Sequence, residues 1–383
     1  MKEIIFYDLN HIDDLIIKKI DDLAKIVMKQ KENYEISYDF IEEALLYYIK
    51  NNDYRDTNKL SRVKPLKKWE IISLTLDFFK SIDSEIHKKI KDIIFSQNSK
   101  IRINIYKLPE TENFSEQDCE FKEFKKYSKV PTNYIMNNRD IIYAPLKVGW
   151  RYNKEENKLL GKDEGTIYDL YALVHELSHT LDIYLEYIID KNNFIISSDI
   201  YDSKNDICTE STAIAFERLL TAYLLGEKII NAKDVEDILI QRGNDTLNKC
   251  YFTYSKLVLA RKKQENGIIT KKDIEETATN MGFGVKAKNE LVDIIISKSK
   301  ENFLIDAGYA FSGVLSPTIE KLIKQGEIKK VKEYLEASKI GNFKNSLGAL
   351  GITLDADGLK KLQDNMMEQR FEFEKDKDRT DQR

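Results

Sequence analysis

The amino-acid sequence predicts a mainly α-helical protein with one small β-sheet. Apolar residues recur at three- and four-residue spacing along most of the chain, which is the period of an amphipathic helix. Only five prolines and 15 glycines occur among 383 residues, which also favours helices over a β-rich fold. Two stretches, 101–108 and 139–146, carry β-type patterns instead, so we expect a small sheet before the central helices.

The helical pattern begins close to the N-terminus. It covers residues 12–30, 39–50 and 66–82, which together predict an N-terminal helical subdomain over residues 1–98. A second domain is expected over residues 99–368. Within it, the charged stretch 112–129 is interpreted as a surface loop or weak helix. Residues 369–383 form a charge-dense C-terminal tail that we expect to fray.

Charge and composition exclude several classes of partner. The net charge of −4 gives no positive field to attract nucleic acid or anionic lipid, so neither is expected as a partner. No signal peptide and no membrane-spanning stretch is recognisable, which predicts a cytoplasmic protein. Cys119, Cys208 and Cys250 are scattered without a CxxC pair and are interpreted as reduced core thiols.

The stretch VHELSH, residues 174–179, contains two of the four histidines in the chain. A capping-box pattern at Thr166 to Asp169 and the apolar run after it predict that the motif lies on a helix. Positions four apart on a helix share one face, so His175 and His179 can bind one metal ion together. Glu176 then lies beside the metal as a general base for a metal-bound water. A helix with two histidines satisfied by other partners is the alternative.

We expect a third ligand on the next helix, which is predicted to start near Asn205 or Asp206. Glu210 lies on it, 31 residues after His179, and Glu217 follows seven residues later, close to two helical turns. Glu217 is therefore placed to accept a hydrogen bond from the imidazole of a ligand. Both glutamates can also be explained as solvated surface charges. The small residues between them would let two helices approach closely: Ser211, Thr212, Ala213 and Ala215.

HELSH followed by TESTAIAFE resembles the zinc site of the oligoendopeptidase F and thimet oligopeptidase family. In that family HExGH precedes a helix that bears a glutamate ligand and a second glutamate seven residues on. The segment from Gly308 to Asp355 is also similar to the closing region of the family. The resemblance covers roughly residues 165–365 and identifies the chain as a short, divergent member.

This resemblance implies a zincin-like fold, a two-lobed helical body with zinc on the floor of a channel for short peptides. It also implies one zinc ion held by His175, His179 and Glu210. Glu176 would be the general base, and Glu217 would orient a ligand. The resemblance thus implies a zinc metalloendopeptidase that hydrolyses internal bonds of peptides through a zinc-activated water.

The chain departs from the family pattern at several places. Ser178 replaces the glycine of HExGH, and no histidine follows His179. The closely spaced tyrosines that donate to the oxyanion in the family are missing, and Tyr309 is the nearest candidate for that role. The chain is also shorter than a typical member, which implies a reduced N-terminal lobe.

Three other hypotheses stay open at this level. One is a pseudopeptidase that keeps zinc but has lost turnover, and another is a protease dedicated to a single protein substrate. The third is a purely structural helical protein. The ligand set alone does not choose zinc over manganese or cobalt.

Overall fold

The structure is a computed structural model, and it is mainly helical, which confirms the fold class at that level. The structure describes the following residues: 20, 22, 24–25, 36–53, 66–95, 101–105, 134–135, 142–146, 152–153, 158–159, 164–165, 167, 170–175, 177–178, 206–282, 300–339 and 343–380. Thr166 and Asp169, which form the predicted capping box, and the charged stretch 112–129 lie outside these residues.

Ten helices with defined bounds follow one another among the described residues. They are α1 Tyr38–Asn51, α2 Lys68–Ile82, α3 Ser84–Phe95, α4 Asp206–Gly226, α5 Ala232–Asn266, α6 Lys271–Asn280, α7 Lys300–Lys324, α8 Ile328–Lys339, α9 Phe343–Ala349 and α10 Ala356–Thr380. Residues 167, 170–175, 177 and 178 are also helical and are called the motif helix here.

Short strands lie between α1 and the motif helix. They are β1 Leu66–Lys67, β2 Ile101–Ile105, β3 Tyr134–Ile135, β4 Ile142–Leu146, β5 Tyr152–Asn153, β6 Lys158–Leu159 and β7 Glu164–Gly165. Strands β2 and β4 pair in parallel, with Ile101 opposite Ile142, and β3 pairs antiparallel with β4, giving the order β2-β4-β3. The pairs β1 with β7 and β5 with β6 are antiparallel.

The elements divide into two compact units, each built from separate stretches of chain. The first contains α1, the beginning of α4 through Ser211, and the chain from Val235 onward. The second contains α2, α3, the strands, the motif helix and the segment Thr212–Asp234. The domain limits at residues 98 and 368 stay a prediction.

The core of the first unit lies around α7. This helix packs against α1, α8 and α10, and α8 packs against α9. The C-terminal end of α7 is followed by Gly326, whose φ of +77° is a left-handed conformation that favours glycine. The backbone N–H of Glu327 then donates to the carbonyl of Leu322 at 2.8 Å, which satisfies a carbonyl at the helix end.

Aromatic side chains form the core of the second unit. Phe78 and Phe79 of α2 pack against Phe216 of α4, with ring centroids 6.3 and 5.6 Å apart. Phe78 also lies 5.8 Å from Tyr223, which is seven residues, close to two helical turns, beyond Phe216 on the same side of α4. These edge-on contacts fix α4 beside α2 because three of the four rings are almost fully buried.

The C-terminal segment differs from the expectation of a frayed tail. Helix α10 continues to Thr380, so it includes most of residues 369–383. The reason lies in composition, since this segment has no glycine or proline and is rich in Glu, Lys and Arg, which are good helix formers.

Candidate metal centre

The motif helix carries one of the predicted ligands within the described residues. His175 is half-buried on it, and the neighbouring Leu173, Val174 and Leu177 are buried. This apolar surface keeps the helix in the core and limits the solvent around the imidazole. Glu176 and His179, predicted as general base and second ligand, lie outside the described residues.

Helix α4 carries both predicted glutamates and begins at Asp206, where the sequence pattern placed its start. Glu217 is only 5% exposed, and Glu210 is half-buried with its Oε2 atom enclosed. The small residues between them are all buried: Ser211, Thr212, Ala213 and Ala215. Glu210 belongs to the first unit, whereas Glu217 belongs to the second unit together with His175.

The structure brings His175 and Glu217 together. Nδ1 of His175 lies 2.8 Å from Oε1 of Glu217, a length typical of a hydrogen bond to a charged group. A carboxylate has no proton to donate, so Nδ1 must carry the hydrogen. In the neutral imidazole, Nε2 is then the nitrogen with the lone pair, which is the form that binds a metal ion.

A second hydrogen bond joins the same two helices, and the sequence alone did not reveal it. The hydroxyl oxygens of Tyr171 and Thr221 lie 2.6 Å apart in the interior. Tyr171 is one turn before His175 and Thr221 is one turn after Glu217, so the two helices run antiparallel. Thr221 Oγ1 also donates to the carbonyl oxygen of Glu217 at 2.9 Å. The matching four-residue spacings, 171 to 175 and 217 to 221, were the available signal.

Ser178 replaces the glycine of the HExGH pattern, and its hydroxyl forms a hydrogen bond within its own helix. Its Oγ donates to the carbonyl oxygen of Val174, one turn earlier, at 2.6 Å. The side chain is buried, so the hydroxyl is satisfied within the motif helix. The replacement therefore introduces no unsatisfied polar group into this core.

Tyr309, the predicted oxyanion donor, is half-buried on α7 in the first unit. The ammonium group of Lys249 lies 5.7 Å from the centroid of its ring, within the range of a cation–π interaction. The same ammonium group forms an ion pair with the buried carboxylate of Asp306, one turn before Tyr309. This contact holds the cation over the ring.

The first turn of α4 has partners of its own within the first unit. The carbonyl oxygen of Cys208 lies 2.9 Å from the hydroxyl oxygen of Tyr334 in α8 and 2.6 Å from Ser211 Oγ, and it accepts a hydrogen bond from at least one of these hydroxyls. Burial raises the pKa of the Cys208 thiol to about 12, although a hydrogen bond with Tyr334 lowers it in part. The thiol therefore stays protonated at neutral pH, as expected of a reduced core cysteine.

The predicted ligands must bring together the donor atoms that a metal ion requires. Among the residues with described positions, no three His, Cys, Asp or Glu side chains are grouped to hold a metal. Glu176 and His179, two of the predicted site residues, lie outside the described residues and are therefore not among these side chains. The tautomer that Glu217 imposes on His175 nevertheless suits a zinc ligand, and this is the observation on which the fit depends.

Comparison with known proteins gives one structural likeness. No protein-family model matches the sequence, and no curated protein matches it. The fold is similar to the crystal structure of a "putative peptidase" from Chlamydophila abortus, with a TM-score of 0.54 and 14% sequence identity. The aligned region covers 95% of this chain and 56% of the other, so the chain spans little more than half the length of that protein.

None of the described helices is long and apolar enough to cross a membrane.

Proposed function

We propose that the protein is a zinc-dependent metalloendopeptidase that hydrolyses internal peptide bonds of oligopeptides. The hydrogen bond of 2.8 Å between Nδ1 of His175 and Oε1 of Glu217 carries this proposal. A histidine that binds zinc almost always donates its other ring nitrogen to a carboxylate, a carbonyl or water. The likeness in fold to a protein described as a "putative peptidase" supports the coarser part of this proposal, a function in peptide hydrolysis.

The residues that would hold the zinc ion are His175, His179 and Glu210. Two imidazoles and one carboxylate are the ligand set of many hydrolytic zinc enzymes, and they leave one position open for water or substrate. When bound, zinc supplies Lewis acidity, which lowers the pKa of water and polarises a carbonyl group. Every other part of the mechanism belongs to the side chains of this chain.

Glu217 would keep the first ligand in its productive orientation. Its carboxylate accepts a hydrogen bond from the Nδ1–H group of His175, which fixes the tautomer and makes Nε2 more basic. Because Glu217 is buried, little water competes for this hydrogen bond, and the interaction is stronger than it would be at the surface. Thr221 and Tyr171 hold the adjacent turns of the two helices in register.

Glu176 would move the proton during hydrolysis. It would accept a proton from the attacking water and then donate it to the nitrogen of the leaving amine. No covalent link between enzyme and substrate is required in this scheme. Tyr309 is the proposed donor of a hydrogen bond to the oxyanion that forms on the scissile carbonyl.

The test is incubation of the zinc-loaded protein with a mixed peptide library, followed by mass spectrometry. We expect new internal cleavages that disappear with a chelator. Glu176→Gln should keep one zinc per chain and lower the cleavage rate by about 10²–10⁴-fold, the usual contribution of a general base. Glu227→Gln is the matched control, since Glu227 is exposed just after α4 and this variant should cleave at the rate of the unsubstituted protein.

Two results would contradict the proposal in different ways. An intact library with one zinc per chain would contradict peptide cleavage and would favour the pseudopeptidase, or a protease for a single protein. A protein that binds no zinc at neutral pH would contradict the metal site itself.

A further inference from the structure

Three oxygen atoms form a compact cluster at the first turn of α4. Ser211 Oγ lies 2.6 Å from the carbonyl oxygen of Cys208 and 2.6 Å from the hydroxyl oxygen of Tyr334. The Tyr334 hydroxyl lies 2.9 Å from the same carbonyl. The two hydroxyl groups supply only two protons for these three short contacts. Whichever hydroxyl donates to the other, the Cys208 carbonyl accepts at least one hydrogen bond.

The cluster is deeply buried, which makes it rigid. Tyr334 is 1% exposed, and the side chains of Ser211 and Cys208 are also buried. Hydrogen bonds in such an interior face no competition from water and are stronger than those at a surface. A tyrosine ring has only two side-chain torsions, so its hydroxyl is held firmly once the ring is packed.

The cluster encloses the turn that carries a predicted zinc ligand. Glu210 lies between Cys208 and Ser211 in the sequence, and its Oε2 atom is enclosed. The hydroxyl of Tyr334 reaches this turn from 123 residues away along the chain. A zinc ligand must be placed to within about 0.5 Å to bind well, so the orientation of this turn matters for affinity.

We propose that Tyr334 is a positioning residue for the metal site. Through the carbonyl of Cys208 and the hydroxyl of Ser211, it fixes the first turn of α4 and thereby the direction of the Glu210 carboxylate. This inference rests on the proposed function, because it assumes that Glu210 is a zinc ligand. It assigns to α8 a role in metal binding, although α8 carries none of the predicted ligands.

The experiment measures zinc affinity by competition with chelators of graded strength, in a double-mutant cycle. Tyr334→Phe keeps the ring and removes only the hydroxyl. We expect it to weaken zinc binding by about 10-fold, the lower end of the range for residues that orient a ligand. In a Glu210→Ala background the same change should have no further effect on affinity, because the side chain that Tyr334 positions is gone.

A matched control separates positioning from general stability. Tyr254 is also buried in the first unit, on α5, and has a hydrogen bond with Asn280. Tyr254→Phe should lower the melting temperature of the metal-free protein to a similar extent and leave zinc affinity unchanged. If Tyr334→Phe does not fold, Ser211→Ala removes the other hydroxyl of the cluster and should show the same dependence on Glu210.

The outcomes distinguish the inference from the function beneath it. Zinc binding that Tyr334→Phe leaves unchanged, or weakens equally with and without Glu210, would overturn the positioning role and leave the zinc site standing. Absence of zinc binding by the unsubstituted protein would overturn both.

Discussion

At the scale of single residues, the proposed site depends on which atoms carry the hydrogens of a few buried hydrogen bonds. The Nδ1 proton of His175 faces Glu217, and the hydroxyl proton of Ser178 faces the Val174 carbonyl. Water has little access to either hydrogen bond, because Glu217 and Ser178 are buried. The chemistry proposed for this core is therefore sensitive to the loss of a single charge or hydroxyl group.

Glu217→Gln tests the most important of these contacts. Glutamine keeps the size of the side chain and an acceptor oxygen but loses the negative charge, so Nε2 of His175 becomes a weaker donor to a metal. We expect zinc affinity to fall by about 10- to 100-fold, measured by chelator competition. Glu236→Gln, a change on α5, should leave affinity unaltered. Equal affinity of Glu217→Gln and the unsubstituted protein would show that Glu217 does not support a ligand.

At the scale of helices, close approach decides which substitutions the fold tolerates. Helices α5 and α7 meet at Gly313, where an added Cβ atom would lie 2.5 Å from Cγ2 and 2.9 Å from Oγ1 of Thr246. Real Cβ atoms essentially never have contacts this short, so α7 or Thr246 must shift when a side chain is introduced.

Gly313→Ala is therefore expected to destabilise the protein, in spite of the higher helix propensity of alanine. Overpacking costs about 1–3 kcal/mol, and the gain in propensity is about 1 kcal/mol, so a net loss of roughly 1 kcal/mol should appear in urea unfolding. Gly243→Ala, in α5, meets no atom within 4 Å and should stabilise by up to about 1 kcal/mol. Thr246→Ala should rescue Gly313→Ala. A failure of that rescue would contradict the close contact.

The sequence predicted elements better than their partners. The helical period placed the start of α4 correctly and put Glu210 and Glu217 two turns apart, because these are local properties of one helix. It did not predict that Tyr334 contacts Ser211 or that β2 pairs in parallel with β4. Such partners depend on how distant segments pack, and no local pattern encodes that choice.

At the scale of the whole molecule, ion pairs join segments far apart in the sequence. Arg261 of α5 donates from Nε and Nη2 to the buried carboxylate of Glu42 in α1, with Nη2 to Oε2 at 3.0 Å. Burial raises the pKa of Glu42, and Arg261 opposes that effect. The pair therefore keeps a costly buried charge compensated inside the first unit.

Arg261→Met should destabilise the protein by about 2 kcal/mol at pH 8, less than for a fully buried pair because Arg261 is partly exposed. Without Arg261, the pKa of Glu42 rises further above its value in the unfolded chain. The native state then binds more protons than the unfolded state, so the loss should shrink as the pH falls through that raised pKa. Urea unfolding at pH 8 and at pH 5 measures the loss of stability and its change with pH.

Lys272→Met is the control for this prediction, since its pair with Glu276 is exposed and should contribute under about 0.5 kcal/mol at either pH. A loss on Arg261→Met that does not change with pH would show that Glu42 is not the group left uncompensated.

The packing of α1 against α7 and α10 also has a consequence for biosynthesis. Glu42 leaves the ribosome 219 residues before Arg261, and the segments that cover α1 follow later still. At roughly 5–20 residues per second, α1 waits about 10–40 s for Arg261 alone. During that interval its apolar surface has no native partner among these helices. We therefore expect the apolar surface of α1 to stay uncovered by these helices until translation has passed α10, and we expect chaperones that bind exposed apolar segments to recognise it.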